Sequence, residues 1–120
     1  MSSQIGIDLV DLGRFESSLN RTSGLAKRLF TDREIQQGSS KNIAHHLAGR
    51  FAAKEALAKA LGVPPGLSWQ EVEVLRLESG RPSFEFSGGA LALVADKTVK
   101  VSISHDGGFV IAMVIIESSK

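Results

Sequence analysis

The sequence predicts an α+β fold in which an antiparallel sheet packs against a long, alanine-rich helix. Three observations lead to this prediction. The segment Gly49–Leu61 is rich in alanine and is stopped by Gly62 and the turn Pro64-Pro65-Gly66. The second half of the chain contains several runs of β-branched and apolar residues. Between two of these runs, Asp106-Gly107 signals an antiparallel hairpin, because the central positions of a type I′ turn need positive φ.

The first predicted element is a short strand over Gln4–Val10, where residues 5, 7 and 9 form one face and residues 6, 8 and 10 the other. Asp8 then lies near the end of this strand, at the edge of a core. Taken alone, Asp8 is more simply interpreted as a turn or cap residue.

Two helical segments are predicted next, at Asp11–Leu19 and Gly24–Gln37. Within the second segment, Thr31 can cap a helix and Glu34 can complete a capping box. Gly38-Ser39-Ser40 ends this segment.

The second half is predicted to be mostly strands, with Ser79-Gly80 separating the first two of them. The predicted strands are Trp69–Leu77, Pro82–Ser87, Val99–Ser104 and Phe109–Ile116, and one helix covers Gly89–Lys97. No internal repeat or linker indicates a second domain.

Length and composition limit the kind of protein that this chain can be. At 120 residues and 42% hydrophobic composition, one domain over residues 1–120 can bury a single core. The absence of cysteine excludes a disulfide scaffold, a thiolate metal site and a cysteine nucleophile. The N-terminus has no export signal, and the longest apolar run, Phe109–Ile116, is far below the roughly 20 residues of a spanning helix. We therefore expect a soluble, cytoplasmic protein that does not bind membranes.

On the alanine-rich helix, Glu55 falls four residues after Phe51 on a predicted core-facing stripe. The stripe is defined by apolar residues at helical spacing, namely Leu47, Phe51, Ala58 and Leu61. An inward carboxylate needs a cation, hydrogen-bond donors or a metal, because leaving water costs several kcal/mol otherwise. Alternatively, Glu55 and Lys59 are a surface i,i+4 pair worth about 0.2–0.5 kcal/mol. The helix alone leaves both interpretations open.

If Asp8 and Glu55 lie together, they suit a hard cation. Mg²⁺ takes oxygen ligands, keeps several waters and is often held by one or two carboxylates together with substrate phosphates. Asp8 and Glu55 are far apart along the sequence, and the sequence alone does not demonstrate that they meet.

His105 ends a predicted strand on the same face as Val101 and Ile103, at the rim of the sheet. There it could bind an anion or be a satisfied structural histidine. A Ser-His-Asp hydrolase is poorly supported, because the chain has no G-x-S-x-G elbow and Ser104, His105 and Asp106 are adjacent.

The turn Gly80-Arg81-Pro82 fixes an arginine that could hold a phosphate, although an exposed turn arginine is the more common finding. No glycine cluster matches a Walker A or dinucleotide fingerprint. His45 and His46 are interpreted as surface residues.

The net charge of +1 conceals a basic first half, with nine Lys and Arg against six Asp and Glu in residues 1–60. The excess is concentrated between Arg14 and Arg33 and favours an acidic partner. An ordinary solvated helix face is the alternative. Only Phe15 and Phe30 lie among these charges, which is too little for a base-stacking platform, so we expect no nucleic-acid binding.

Four motifs in this order resemble holo-[acyl-carrier-protein] synthase, the small bacterial type of 4′-phosphopantetheinyl transferase. They span nearly the whole chain and are Ile5-Gly6-Ile7-Asp8-Leu9-Val10, Arg50-Phe51-Ala52-Ala53-Lys54-Glu55-Ala56 with Lys59 and Ala60-Leu61-Gly62, Gly80-Arg81-Pro82, and Ser102-Ile103-Ser104-His105. The third and fourth motifs are weak individually, but the joint occurrence of all four is highly specific.

The resemblance implies transfer of 4′-phosphopantetheine from coenzyme A to a serine of apo acyl carrier protein, with release of adenosine 3′,5′-bisphosphate, as a step that serves fatty acid biosynthesis. It implies Mg²⁺ as cofactor, held by Asp8 and Glu55. It also implies a homotrimer with active sites at subunit interfaces. Phosphoryl transfer needs positioning and neutralisation of charge on the phosphate oxygens, and a carboxylate-bound Mg²⁺ fits this need.

The resemblance also implies roles for individual residues. Asp8, Glu55 and Lys59 are catalytic: Lys59 contacts a phosphate oxygen, and Asp8, Glu55 or a water accepts the serine proton. Coenzyme A contacts are Arg50, Lys59, Gly80, Arg81, Pro82 and His105. The carrier protein, an acidic helical bundle, contacts Arg14, Arg21 and Arg28, with Phe15 and Leu25 packing nearby.

The chain departs from the family pattern in two places, at Asp106–Phe109 and at Gly38–His46. Two other functions stay open from the sequence. One is a non-catalytic module that docks an acidic protein, and the other is a Mg²⁺-dependent enzyme that cleaves nucleotides with water.

Overall fold

Antiparallel strands and a long central helix position the candidate site. The computed structural model describes residues 2–38 and 42–118. In chain order these form β1 (Ser2–Asp11), α1 (Leu12–Arg21), α2 (Leu25–Leu29), α3 (Asp32–Gln37), α4 (Ile43–Ala60), a 3₁₀ turn (Trp69–Glu71), β2 (Val72–Arg76), β3 (Pro82–Phe86), α5 (Gly88–Val94), β4 (Lys97–Asp106) and β5 (Phe109–Ser118).

Within the described residues, the strands form an antiparallel sheet of order β1-β5-β4 and an antiparallel pair β2-β3. Helix α4 packs against β1 and β5. The predicted α+β class, with the sheet against the alanine-rich helix, is confirmed.

Helix α4 is buried on most of its circumference because its alanines allow the sheet to come close. Its fully buried residues include Ala48, Ala52, Ala53, Ala56 and Leu57. At Gly6 of β1 the two backbones touch: a Cβ at this position would lie 1.9 Å from the Ala56 carbonyl oxygen. Only glycine therefore permits this approach of strand and helix.

The predicted core stripe of α4 is only partly right. Leu47 and Ala58 are buried, but Phe51, Glu55 and Leu61 are only half-buried. Close packing against the sheet selects the alanine face for the core, and the bulkier residues lie at its margin.

The alternation predicted for β1 is confirmed, with Gly6 and Val10 buried and residues 5, 7 and 9 exposed. In the antiparallel register, Ile7 pairs with Met113 and Leu9 with Ile111. An apolar outer sheet face results, consisting of Ile5, Ile7, Leu9, Phe109, Ile111 and Met113.

Two predicted boundaries move for local reasons. The segment Gly24–Gln37 is broken at Phe30, which is 1% exposed, and helix restarts at the predicted capping box of Thr31 and Glu34. The hairpin turn is shifted by one residue from Asp106-Gly107. Because Asp106 pairs with Phe109, the positive φ values fall on Gly107 (58°) and Gly108 (86°).

The other predicted strands and helices are present with shifted ends, and Trp69–Glu71 is a 3₁₀ turn before β2. The predicted helix end at Ser39-Ser40 lies outside the described residues. No helix in the described ranges has both the length and the hydropathy needed to cross a bilayer. The cytoplasmic location stays a prediction.

Candidate active site

Asp8 and Glu55 line one open cavity of about 560 Å³ between β1, α1, α4 and β5. Asp8 comes from the strand and Glu55 from the helix. Gly6 lies two residues before Asp8 and Ala56 directly follows Glu55, so the Gly6–Ala56 contact keeps strand and helix close at this point. The structure therefore brings together the two acids that the sequence singled out. We call this space the acid cavity, lined by Asp8, Leu9, Val10, Asp11, Arg14, Phe15, Ser18, Phe51, Glu55 and Phe109.

Lys59 bridges the helix to the strand beside this cavity. Its Nζ donates to Asp8 Oδ1 and to the Ile7 carbonyl oxygen, each at 3.0 Å. The Asp8 side chain is 15% exposed and that of Lys59 is 51% exposed. Lys59 is thus anchored at the acid pair and still reaches solvent, instead of forming only a local surface pair with Glu55.

The surroundings of the Glu55 carboxyl disfavour its charged form. Partial burial and the negative charge of Asp8 raise its pKa above the ordinary value of 4.5, and the positive charge of Lys59 partly offsets this effect. Two like charges facing one cavity would both be stabilised by a cation placed between them.

The donor set fits Mg²⁺, because both groups offer hard oxygen ligands and an open cavity leaves room for waters and phosphate oxygens. Among the described residues, no group of three or more His, Cys, Asp or Glu side chains could hold a metal ion. A metal at Asp8 and Glu55 therefore needs ligands from solvent or substrate, and it stays a prediction.

Arg50 and His105 line a second cavity of about 290 Å³, together with Arg76 of β2. We call it the cationic cavity. Arg50 is only 8% exposed, and its Nε has no hydrogen-bond partner among the described residues. Burial, and secondly the charge of Arg76, lower the pKa of Arg50 to about 10. His105 shares the face of Val101 and Ile103 as predicted, but it is exposed. The predicted phosphate contacts thus share one cavity.

Gly80, Arg81 and Pro82 form the turn between β2 and β3. Gly80 has φ of 92°, and the Arg81 carbonyl accepts a hydrogen bond from Leu77 N at 2.9 Å. In the described part of the chain, none of the three lines the acid or the cationic cavity. Their contact with coenzyme A stays a prediction.

Arg14, Arg21 and Arg28 are exposed on α1 and α2. Arg14 and Arg21 line the same shallow groove along α1, and Arg14 also lines the acid cavity. We expected Phe15 to pack near the carrier protein, but it is not available to a partner. It is 7% exposed and packs on Phe51 at a centroid distance of 5.4 Å.

The sequence analysis missed a fully buried ion pair between Lys54 and Glu34. Lys54 Nζ donates to Glu34 Oε1 at 2.7 Å and to the carbonyl oxygens of Leu29 at 2.7 Å and Trp69 at 2.9 Å. Glu34 Oε2 accepts from Val74 N at 2.8 Å. A lysine within an otherwise alanine-rich helix was the available signal.

The interpretation of the two histidines is half right. His45 is exposed, but His46 is 7% exposed, and its Nε2 lies 2.7 Å from the Glu34 carbonyl oxygen. The ring of His46 also fills the space beside Gly38, where a Cβ would lie 2.3 Å from its Cδ2. Gly38 and the Glu34 carbonyl of α3 thus cover this side of α4, which sequence spacing does not reveal.

Comparison with known proteins shows strong similarity. The family model of the 4′-phosphopantetheinyl transferase superfamily matches residues 4–114. The holo-[acyl-carrier-protein] synthase of Frankia alni is 46% identical over 117 residues, which cover 95% of this chain and 96% of that protein. The ACPS–CoA complex of Chronobacterium ammoniagenes superposes with a TM-score of 0.90 at 29% identity over 100% of both chains. A holo-(acyl-carrier-protein) synthase from Bacillus anthracis in complex with CoA (3′,5′-ADP) gives a TM-score of 0.81 at 34% identity, covering 97% of this chain and 96% of that one.

Proposed function

This chain belongs to the 4′-phosphopantetheinyl transferase superfamily, among the holo-[acyl-carrier-protein] synthases, and we propose that it transfers 4′-phosphopantetheine from coenzyme A to a serine of apo acyl carrier protein. The transfer depends on Mg²⁺ and releases adenosine 3′,5′-bisphosphate. Residues 1–120 form one transferase domain in this proposal. The observation that carries it is the joint lining of the acid cavity by Asp8 and Glu55.

In the proposed reaction, the serine oxygen of the carrier attacks the phosphorus that bears the pantetheine arm. The bond from this phosphorus to the bridging oxygen of the diphosphate breaks, and the bridging oxygen leaves with the adenosine bisphosphate. The serine proton passes to Glu55, Asp8 or a water that they orient. Both carboxylates line the acid cavity that the serine would enter, so either can accept the proton directly or through a water.

Lys59 stabilises the charge that develops on the leaving phosphate. Its ammonium is anchored 3.0 Å from Asp8 and is half-exposed, so it can also donate to a phosphate oxygen that binds beside Asp8. Asp8 and Glu55 would hold the Mg²⁺, which when bound neutralises charge on the diphosphate oxygens.

Arg50 and His105 would bind nucleotide phosphates of coenzyme A in the cationic cavity, and Gly80-Arg81-Pro82 would border the adenosine. The Chronobacterium ammoniagenes and Bacillus anthracis structures are complexes with coenzyme A, which supports coenzyme A as the substrate. Arg14, Arg21 and Arg28 would contact the acidic carrier beside the acid cavity.

A homotrimer with active sites at subunit interfaces is part of the proposal. The outer sheet face leaves Ile5 65%, Ile7 52% and Leu9 60% exposed, and apolar faces of this kind favour association. Replacing Ile7 by lysine should dissociate the oligomer in analytical ultracentrifugation. Leu77→Lys, at a position that is also 52% exposed but lies outside this face, is the control. A wild-type protein that sediments as a monomer would refute this part.

The direct test is incubation with coenzyme A, Mg²⁺ and an apo carrier, followed by intact mass spectrometry. The carrier should gain about 340 Da, the mass of the phosphopantetheine arm that phosphoryl transfer attaches. A carrier whose acceptor serine is replaced by alanine should gain nothing. Binding without mass gain would favour a docking module, and release of free phosphopantetheine with an unmodified carrier would favour hydrolysis.

A further inference from the structure

The cationic cavity contains more positive charge than its predicted phosphate contacts account for. It is lined by Leu12, Asn42, His45, His46, Gly49, Arg50, Arg76, Ile103, His105 and Val110. No Asp or Glu occurs among these described lining residues. We propose that Arg76, which neither the sequence motifs nor the transfer mechanism assigns, is a specificity-determining residue that works with Arg50 to select a terminal phosphate monoester on the substrate.

Two arginines line this cavity without a carboxylate among its described lining residues, and this arrangement carries the inference. Arg50 is only 8% exposed, and its Nε has no hydrogen-bond partner among the described residues. Desolvation and the neighbouring charge of Arg76 lower the pKa of Arg50, and the charge of Glu34 offsets this only in part. A buried cation normally has a paired anion, so this arrangement is unfavourable in the free protein and becomes favourable when an anion enters.

Arg76 is held in place by its backbone. Arg76 N donates to Gln37 Oε1 at 2.8 Å, and the Arg76 carbonyl accepts from Gln37 Nε2 at 3.3 Å. The side-chain amide of Gln37 thus fixes the last residue of β2 from helix α3. A guanidinium that starts from a fixed backbone loses less entropy when it binds.

The chemistry of the cavity identifies the group that it selects. A phosphate monoester carries about −1.5 to −2 charges at neutral pH, and two guanidinium groups can each bind it through paired hydrogen bonds. A diester offers only one charge. Coenzyme A has a single monoester, its 3′-phosphate, whereas 3′-dephospho-coenzyme A has none. This inference rests on the proposed function and names the substrate feature that Arg76 reads.

The first experiment compares coenzyme A with 3′-dephospho-coenzyme A in steady-state transfer. For Arg76→Gln we expect the KM for coenzyme A to rise about tenfold at nearly constant kcat, because a charged hydrogen-bonded contact is lost. The KM for dephospho-coenzyme A should change less than about twofold. The ratio of kcat/KM between the two substrates should therefore fall about tenfold, with an intermediate value for Arg76→Lys. A structural defect would instead lower kcat/KM for both substrates together. An unchanged ratio of kcat/KM between the two substrates would overturn the proposal.

Arg33→Gln is the matched control. Arg33 is an exposed arginine that donates hydrogen bonds to Glu73 and Glu85 on the β2–β3 hairpin, to which Arg76 also belongs. It is not among the described residues that line the cationic cavity. Its substitution should leave the substrate ratio unchanged.

A binding experiment separates failure of this inference from failure of the transfer reaction. Isothermal titration of the whole protein with coenzyme A and with 3′-dephospho-coenzyme A needs neither carrier nor turnover. The wild type and Arg33→Gln should bind coenzyme A at least about tenfold more tightly, and Arg76→Gln should lose most of this preference. Equal binding of both nucleotides by the wild type, or an undiminished preference in Arg76→Gln, would refute the inference even if transfer is observed.

Discussion

Two charged clusters begin at neighbouring residues of α4 and differ in almost every physical respect. Lys54 is fully buried against Glu34, and its ammonium donates three hydrogen bonds. Glu55 lies half-buried on the acid cavity beside Asp8 and half-exposed Lys59. Successive residues of a helix point about 100° apart, so one helix can direct one charge into the core and the next toward solvent. The difference separates a charge that organises the fold from one that is available for chemistry.

The two clusters also differ in how well their charges are balanced. The Lys54–Glu34 pair connects α4 to α2, α3, the 3₁₀ turn and β2 through short hydrogen bonds, so its desolvation is compensated. Glu55 keeps a raised pKa because neither burial nor the charge of Asp8 is fully offset by Lys59. An uncompensated charge at a cavity is typical of a site that a ligand completes.

The largest effect should come from breaking the buried pair. Lys54→Met should lower the free energy of unfolding by about 3–5 kcal/mol, because Glu34 stays buried without its cation. Urea denaturation measures this loss. Lys59→Met, at a half-exposed position, should cost at most about 1 kcal/mol.

A double variant tests the cause of that loss. Glu34→Gln combined with Lys54→Met removes both charges and should recover part of the stability. If the double variant is as unstable as the sum of its single changes, charge pairing is not the reason.

Breaking the other cluster should affect activity instead of folding. Glu55→Gln should reduce the transfer rate by about 10²–10³-fold, because a charged ligand and proton acceptor is lost. Its unfolding free energy should be equal to or above that of the wild type, since repulsion from Asp8 is removed. Carrier modification and urea denaturation on the same preparation measure both quantities. Retention of wild-type activity would remove Glu55 from the mechanism.

The pH dependence of stability sharpens the comparison. The folded-state pKa of Glu55 is raised, so the folded protein binds this proton more tightly than the unfolded chain does. The resulting stabilisation is fully present below the unfolded pKa and is lost as the pH rises through the folded pKa. The advantage of Glu55→Gln in unfolding free energy should therefore grow from about pH 4 towards neutrality. An advantage that is constant over this range would contradict the assigned cause.

The smallest effect should be that of the exposed arginines. Arg14→Gln should raise the KM for the carrier by about threefold, and added salt should raise this KM more than the KM for coenzyme A, because exposed charges are screened more than buried ones. Transfer assays from low to physiological ionic strength measure both. Equal salt sensitivity of the two substrates would count against a carrier surface on α1.

The sequence was sufficient for the fold class, and it singled out the acids at 8 and 55, because strand alternation and short motifs can be read from local stretches of the chain. It was insufficient to decide which side of α4 is buried. Alanines satisfy several faces equally, and the approach of β1 at Gly6 selects one of them. For this reason Glu55 was assigned to the core and Lys54 was overlooked. Arg76 was missed because its cavity forms only when β2 lies beside α4.

The backbone contact at Gly6 makes the crossing of β1 and α4 a pivot for any tilting of the helix. Asn42 lies fourteen residues from Ala56, or about 21 Å along the axis, whereas Glu55 is one residue away. A rocking motion of about 5° would displace the helix start by about 2 Å and Glu55 by only about 0.1 Å. We therefore expect any adjustment of α4 to a bound nucleotide at the end beside the cationic cavity, with the spacing of the acids almost unchanged.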